Sequence, residues 1–316
     1  MSGTDLVLDC DTGIDDALAI LYGAGNGARY VACTVTHGNV PVAVGTRNTL
    51  TILDSIGLSQ VPVFQGAARP IAQPLQTAEW VHGNDGLGDI GLPPSTRNAA
   101  GSIAAAEIVR LARERPGQLT LVAVGPLTNI GLALLLEPEL PQLVRRVVIM
   151  GGAIGVPGNA STTGEANVWH DPEAAQLVID AAWDVVFVGL EITMTTQLPA
   201  ALIARIEASH DPRATMVWRL IQHYLDVYEP ILGERTCVLH DPLAMALALD
   251  PGLATYRLVR AGVELRGQIS RGQIVADLRP GGEPAPADPT EPGVIRIVED
   301  LDLPEFHERF LSSIGA

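Results

Sequence analysis

Leu8-Asp9-Cys10-Asp11-Thr12-Gly13-Ile14-Asp15-Asp16-Ala17 places four aspartates close together near the start of a 316-residue chain. The apolar stretch Leu6-Val7-Leu8 before them reads as a buried strand, and Ala17-Leu18-Ala19-Ile20-Leu21 after them reads as a helix. The acids therefore fall at the carboxyl end of a first strand and over a helix start, the edge at which open α/β sheets bind ligands. Like charges held this close repel one another. A cation that neutralises them makes the cluster tolerable, and all-oxygen ligands suit calcium or magnesium. Gly13 permits the tight turn that folds the acids around one point. An ordinary acidic helix start, favoured by the helix dipole, accounts for Asp15 or Asp16 but leaves Asp9 and Asp11 unexplained. The metal reading is preferred for that reason.

The composition narrows the function further. With 47% hydrophobic and 18% charged residues, the chain has enough apolar material for one large core. A single domain over 1–316 is expected, since neither an internal repeat nor a linker is visible. The formal net charge of -16 supplies no basic footprint for nucleic acid or an anionic membrane. Every one of the 20 basic residues is Arg. The absence of Lys excludes Schiff-base chemistry and lysine-dependent phosphoryl transfer. Cys10, Cys33 and Cys237 are few and far apart, which suits a reducing compartment and suggests neither a disulfide framework nor a zinc site. The run Met1-Ser2-Gly3-Thr4-Asp5 has no basic region followed by an apolar core, and no stretch of about 20 apolar residues occurs. A soluble, cytoplasmic protein is expected.

Strand-like runs alternate with helical patterns along the chain. Tyr30–Thr36 leads into His37-Gly38-Asn39, Leu119–Val124 into Gly125-Pro126, Val144–Met150 into Gly151-Gly152, and Val185–Val188 into Gly189. Between them lie helical segments such as Gly101–Arg115, Asn129–Leu136 and Pro172–Ala182. This is the rhythm of an open, mostly parallel Rossmann-like sheet with helices on both faces. Gly262–Leu278 reads as a C-terminal β-hairpin around Ser270-Arg271-Gly272, Pro280–Gly293 as an exposed loop, Val294–Val298 as a strand and Pro304–Ile314 as a helix.

Polar groups recur where strands end. Asn39 follows the second strand. Thr128 or Asn129 is placed to cap the helix after Gly125-Pro126, which on its own is an ordinary strand–turn–helix corner. Asn159, Glu165 and Asn167 sit in a Gly-bracketed polar loop that suits sugar hydroxyls and equally suits plain solvent. Asp241 reads as an N-cap with Pro242 at the first helical position. A lone His is usually structural, but His240 beside Asp241 at a helix start is a better acid–base candidate.

Taken together, these segments resemble the calcium-dependent ribonucleoside hydrolases, the inosine–uridine-preferring nucleoside N-ribohydrolases. The resemblance runs through Asp9–Ala17, Gly38-Asn39-Val40, Val81-His82-Gly83, Gly125–Asn129, Met150-Gly151-Gly152, Gly158-Asn159, Glu165-Ala166-Asn167, Asp171–Ala175, His240-Asp241-Pro242 and Ser270-Arg271-Gly272. It implies hydrolysis of a ribonucleoside to base and ribose by a homodimer or homotetramer. Asp11 would be metal ligand and general base, with Asp16, Asp241 and the backbone carbonyl of Val124 completing a calcium site. Asp15, Asn39, Asn159, Glu165 and Asn167 would hold the ribose hydroxyls. His240 would act at the leaving base, and His82, Tyr224 and Tyr228 would border it. His240 resembles the branch acting on pyrimidine or mixed nucleosides. Two departures stand out: Ala166 lies where the family often has Phe, and Thr12 where Pro is frequent. Two other readings compete. A phosphatase of the haloacid dehalogenase type has similar paired aspartates, but needs a basic partner for phosphate. A catalytically inactive nucleoside or ribose sensor would be expected to have lost Asp11 or His240.

Overall fold

The structure is a computed structural model in which residues 3–280 and 286–316 are described. In chain order its elements are β1 (Asp5–Cys10), α1 (Ile14–Gly25), β2 (Arg29–Val35), α2 (Val42–Ser55), β3 (Val63–Gln65), α3 (Glu79–His82), α4 (Ala104–Glu114), β4 (Thr120–Ala123), α5 (Thr128–Leu136), α6 (Leu140–Leu143) and β5 (Arg146–Met150). They continue with α7 (Ala166–His170), α8 (Pro172–Ile179), β6 (Val185–Val188), α9 (Leu190–Thr193), α10 (Ala200–Ala208), α11 (Pro212–Leu232), α12 (His240–Leu249), β7 (Ala254–Val263), β8 (Ile274–Ala276), β9 (Val294–Leu301) and α13 (Leu303–Ile314).

The strands form one sheet in the order β3-β2-β1-β4-β5-β6-β9-β7-β8. Strands β3 through β9 in that order run parallel, while β7 pairs antiparallel with both β9 and β8. The expected C-terminal hairpin is therefore present, as β7 and β8. The Pro280–Gly293 loop falls partly on 281–285, outside the described residues.

The parallel strands are apolar throughout because both faces are covered. Alternate side chains still enter different cores, since successive residues of a strand point to opposite faces. Leu6, Leu8 and Cys10 of β1 join the core packed by α1, α11, α12 and α13, whereas Val7 joins the core packed by α4, α5 and α8. In β5, Val148 and Met150 divide from Val147 and Ile149 in the same way. The chain moves outward from β1 to β2 and β3, then returns to place β4 on the other side of β1. That reversal opens a crevice beyond the carboxyl ends of β1 and β4. The aspartate run leaves β1 at this point, and Val124-Gly125 leaves β4 beside it.

Helix α1 is buried along most of its length, and its last residue, Gly25, lies against α13: a Cβ there would stand 2.5 Å from Cα of Ser313. Ala is a better helix former than Gly by about 1 kcal/mol, but forcing a methyl against fixed backbone costs about 1–3 kcal/mol. The clash wins. Gly25→Ala is expected to lower the unfolding free energy by about 1–2 kcal/mol in urea titration, whereas a stabilised variant would mean that the two helices separate freely.

Candidate active site

The loop after β1 is closed by one side chain. Asp16, in the first turn of α1, accepts from the backbone N–H of Asp11 (3.1 Å) and Gly13 (2.8 Å), and from Nδ2 of Asn39 (3.0 Å). Gly13 is required here for space rather than for an unusual backbone angle. Its φ is -97°, yet a Cβ would lie 2.4 Å from Nδ1 of His82 and 2.8 Å from Nδ2 of Asn39. Asp11 sits in a slot walled by glycines. Its Oδ2 accepts from the Asn39 backbone N–H at 2.7 Å, and a Cβ on Gly38 or Gly125 would stand 1.9 Å or 2.8 Å from its carboxylate oxygens.

The four acids do not all converge. Asp9 points to the other face of the sheet, as alternation along β1 requires. There its Oδ1 accepts from Thr34 (2.6 Å) and Asn129 (2.8 Å), and burial pushes its carboxyl up to about 7. Asp241 takes the fourth place, from the first turn of α12. Asp15, Asp16 and Asp241 each bring an oxygen to within 4.8 Å of the others. Asp11 stands beside this triple with Oδ1 buried and unpartnered, as is Oδ2 of Asp241.

Burial raises Asp11, Asp15, Asp16 and Asp241 above the ordinary aspartate value, and the charges of their neighbours push in the same direction for Asp11, Asp16 and Asp241. Asp16 reaches about 7. Among the described residues lining the cavity there is no Arg to oppose this. Buried, unpaired carboxylate oxygens of this kind fit a bound cation, and hard oxygen donors fit a divalent one.

Above the acids lies a cavity of about 730 Å³, a size that suits a small organic ligand. Every candidate residue lines it except Asp11 and Asp16, which form the layer beneath its floor. One wall is α7. Glu165 caps its start, accepting from the N–H groups of Asn167 (2.8 Å), Val168 (3.1 Å) and Gly152 (2.8 Å). Asn167 donates from Nδ2 to the carbonyls of Val124 (3.1 Å) and Met150 (3.0 Å), tying this wall to the ends of β4 and β5. Exposed Asn159 steadies the loop by accepting from the Ala166 N–H at 2.9 Å.

The opposite wall is aromatic. Nδ1 of His82 accepts from the Ile14 N–H at 3.1 Å, and burial lowers the ring to about 3. It is therefore neutral, and its 3.8 Å approach to Asp15 is not an ion pair. Tyr224 packs on His82 and on Tyr228, with ring centroids 5.4 Å apart in each case, and its hydroxyl lies 3.5 Å from Nδ1 of His82. His240 has a hydroxyl on each side, Thr193 at 2.8 Å from Nδ1 and Tyr228 at 2.8 Å from Nε2. Burial holds this ring near 4, against a weaker opposing effect of Asp15.

Several sequence expectations need correction. Asp241 is not an N-cap: α12 begins at His240, and Leu239 holds the cap position without a side-chain bond. Neither Thr128 nor Asn129 caps α5. Thr128 donates to Asp171 at 2.6 Å and receives His37 at 3.0 Å, while Asn129 holds Asp9 and the Ala67 N–H. Thr193 and Glu191 were not singled out in the sequence, although they follow β6 and Gly189 by the same strand-end rule that located the others. Trp80 is 67% exposed at the cavity mouth, Trp169 lines the cavity, and Trp218 packs half-buried on the core.

Among the described residues, no Ser, Cys or Lys lines this cavity as a nucleophile, and carboxylates and amides dominate its floor. A cavity of this size, floored by carboxylates and amides, suits a small hydroxylated substrate. The chain belongs to the inosine-uridine preferring nucleoside hydrolase family, whose profile matches residues 6–308. It is 34% identical over 277 residues to the inosine-uridine preferring nucleoside hydrolase of Crithidia fasciculata, covering 87% of this chain and 88% of that protein. It is 37% identical over 275 residues to a pyrimidine-specific ribonucleoside hydrolase, RihA, of Shewanella woodyi, covering 86% and 88%. The structure of a purine-preferring ribonucleoside hydrolase from Gardnerella vaginalis superimposes with a TM-score of 0.90 at 30% identity, over 99% and 98% of the two chains. The reaction is hydrolysis of the N-glycosidic bond of a ribonucleoside.

Because burial keeps His82 and His240 deprotonated, both rings are expected to give neutral-imidazole ¹⁵N signals from pH 7.5 down to pH 5.5. In the unfolded chain they protonate near 6.5, so their contribution to stability falls as pH drops below that value, toward about 4 for His240 and about 3 for His82. A His240 signal titrating near 6.5 would contradict the assignment.

Proposed function

We propose that Asp11 is the general base of this reaction and that the acids around it hold a calcium ion. The observation that carries the reading is the pair of buried, unpartnered oxygens, Asp11 Oδ1 and Asp241 Oδ2, in a cluster whose cavity has no Arg among the described residues that line it. Asp11, Asp16, Asp241 and the Val124 carbonyl would hold the ion, with Asp15 close enough to contribute. When bound, calcium neutralises the cluster and lowers the pKa of a nearby water.

Asp11 takes the proton from the attacking water. Its glycine-walled slot fixes the carboxylate, which has no other place to go. Asp15, Asn39, Asn159, Glu165 and Asn167 hold the ribose hydroxyls. Three N–H groups already occupy Glu165, and a carboxylate has room for about one more donor. As the glycosidic bond breaks, positive charge grows on the ribose, and the carboxylates stabilise it. His240 serves the departing base, with Tyr224, Tyr228 and His82 around it. Being neutral, His240 does not store a proton. It passes one: a proton enters at Nδ1 from the Thr193 hydroxyl, which takes a replacement from solvent, and one leaves from Nε2 to the Tyr228 hydroxyl, which gives its own to the departing base. The sequence of proton transfers parallels that of inverting glycosidases.

A pyrimidine or mixed base preference is supported by His240 and by the name of the Shewanella relative, although the Gardnerella protein is named for purines. A single domain over 1–316 is in keeping with one sheet running from β3 to β8. Among the described residues no helix is long and apolar enough to cross a membrane. A cytoplasmic homodimer or homotetramer that takes free ribonucleosides, and neither nucleic acid nor membrane, completes the proposal. A phosphatase reading lacks a cation at the cavity, and the retention of both Asp11 and His240 speaks against an inactive sensor.

Asp11→Asn is expected to abolish release of base from uridine, inosine and p-nitrophenyl riboside alike in a steady-state assay. His240→Ala should lower kcat by about 10²–10⁴ for uridine or inosine, the usual worth of leaving-group acid catalysis. It should cost far less with p-nitrophenyl riboside, whose leaving group departs without a proton. Equal damage to both substrates would make His240 structural.

Calcium at a hundred times its dissociation constant should raise stability by about 2.7 kcal/mol in calorimetry at pH 7.5. The gain should shrink at pH 5, where protons compete for the ligands. Full activity in protein shown to be metal-free would remove calcium from the proposal.

A further inference from the structure

Ser270-Arg271-Gly272, in the turn between β7 and β8, has no part in the chemistry above. Arg271 reaches from this turn to two other segments at once. Its Nε donates to Oε1 of Gln73 at 3.1 Å, its Nη2 to both oxygens of Glu173 at 2.7 Å, and its Nη1 to the Leu265 carbonyl. Gln73 then donates from Nε2 to the carbonyls of Trp169 (2.7 Å) and His170 (2.9 Å). These two residues end α7, and the carbonyls of a helix's last turn lack donors within the helix. The turn also lies directly on α7: at Gly272, where φ is +83°, a Cβ would stand 2.8 Å from Cα of Trp169.

We propose that Arg271 is a positioning residue, and that Arg271 and Gln73 form a clamp that fixes α7 and so aims Glu165 and Asn167 at the sugar. The inference rests on the reading that those two residues hold ribose. A helix of five residues does not hold itself in place. Its start is fastened by Glu165 and Asn167, and its end by Gln73. Gln73 also belongs to the irregular run 66–78, which enters the cavity wall at Gln76 and leads into α3. One guanidinium therefore registers two walls of the cavity against each other. A rigid planar fork can bond Gln73 and Glu173 together, whereas an ammonium is a single point of charge. The Arg271 and Glu173 side chains are 28% and 25% exposed. An ion pair in partial contact with water adds little stability, so losing the clamp shifts position more than it unfolds the protein.

The test uses Arg271→Ala, Gln73→Ala, their double variant and Arg271→Lys in the full-length, calcium-loaded protein. Thermal midpoints should stay within a few degrees of the wild type. Each alanine variant should lose about 10- to 100-fold in kcat/KM, the scale of a misplaced reactant. The loss should be equal for uridine and p-nitrophenyl riboside, because the sugar side is disturbed and not the base side. The double variant should be no worse than the worse single variant, and Arg271→Lys should fail to rescue. Amide exchange over 166–170 and 76–82 should quicken in all four. Additive losses, a loss confined to uridine, or unchanged exchange over 166–170 would each overturn the clamp. If the wild type cleaves neither substrate, the hydrolase reading fails instead, and the exchange measurement alone decides the clamp.

Discussion

The bond set that everything else leans on is the grip of Asp16 on its own loop. Two backbone N–H groups and the Asn39 amide converge on that carboxylate, and they hold it at the head of α1 although burial and Asp15 favour its neutral form. Because the loop is closed this way, Asp11 turns into its slot between Gly38 and Gly125 and Asp15 turns up into the cavity. Without the grip, the repulsion among these acids would open the strand–helix junction. The protein instead confines the repulsion to one spot, where hydrogen bonds offset part of it and the proposed cation would offset the rest.

The β1–α1 junction was legible because three independent signals coincide there: an apolar run, a polar break and a helical apolar pattern. The parallel sheet was legible for the same reason, since strands buried on both faces are uniformly apolar and end in glycine. Among the candidate site residues, Asn39 could be found by its position at a strand end, whereas Val124, at another strand end, was reached only through resemblance. His82, Tyr224 and Tyr228 were reached only through resemblance, for α3 and α11 carry no polar signature that separates a cavity wall from a core.

Where the sequence misled, side-chain reach decided against backbone position. Thr128 and Asn129 occupy the sequence position of a cap, but each has a buried carboxylate nearer to hand, Asp171 and Asp9, and an unpaired buried carboxylate costs more than an uncapped helix start. Asp9 shows the other limit. It shares a motif with Asp11, but a strand turns neighbours-but-one to one face and the residue between to the other. After Cys10 the strand ends and this alternation lapses, so Asp11 is free to turn away from Asp9. The count of aspartates in a motif therefore overstated the number that meet.

The separation along the chain between Asp11 and Asp241 bears on how the protein folds. Asp11, Asp15 and Asp16 belong to the first βα unit, while Asp241 arrives with α12, after six strands have been laid down. The contacts that draw α12 onto α1 are thus among the most nonlocal in the molecule, and contacts of that kind form slowly because a long loop must close first. During synthesis the first three acids are complete long before the fourth exists. The crowding of charge is therefore deferred until α12 is made, when six strands and most of the helices that cover them have already been synthesised.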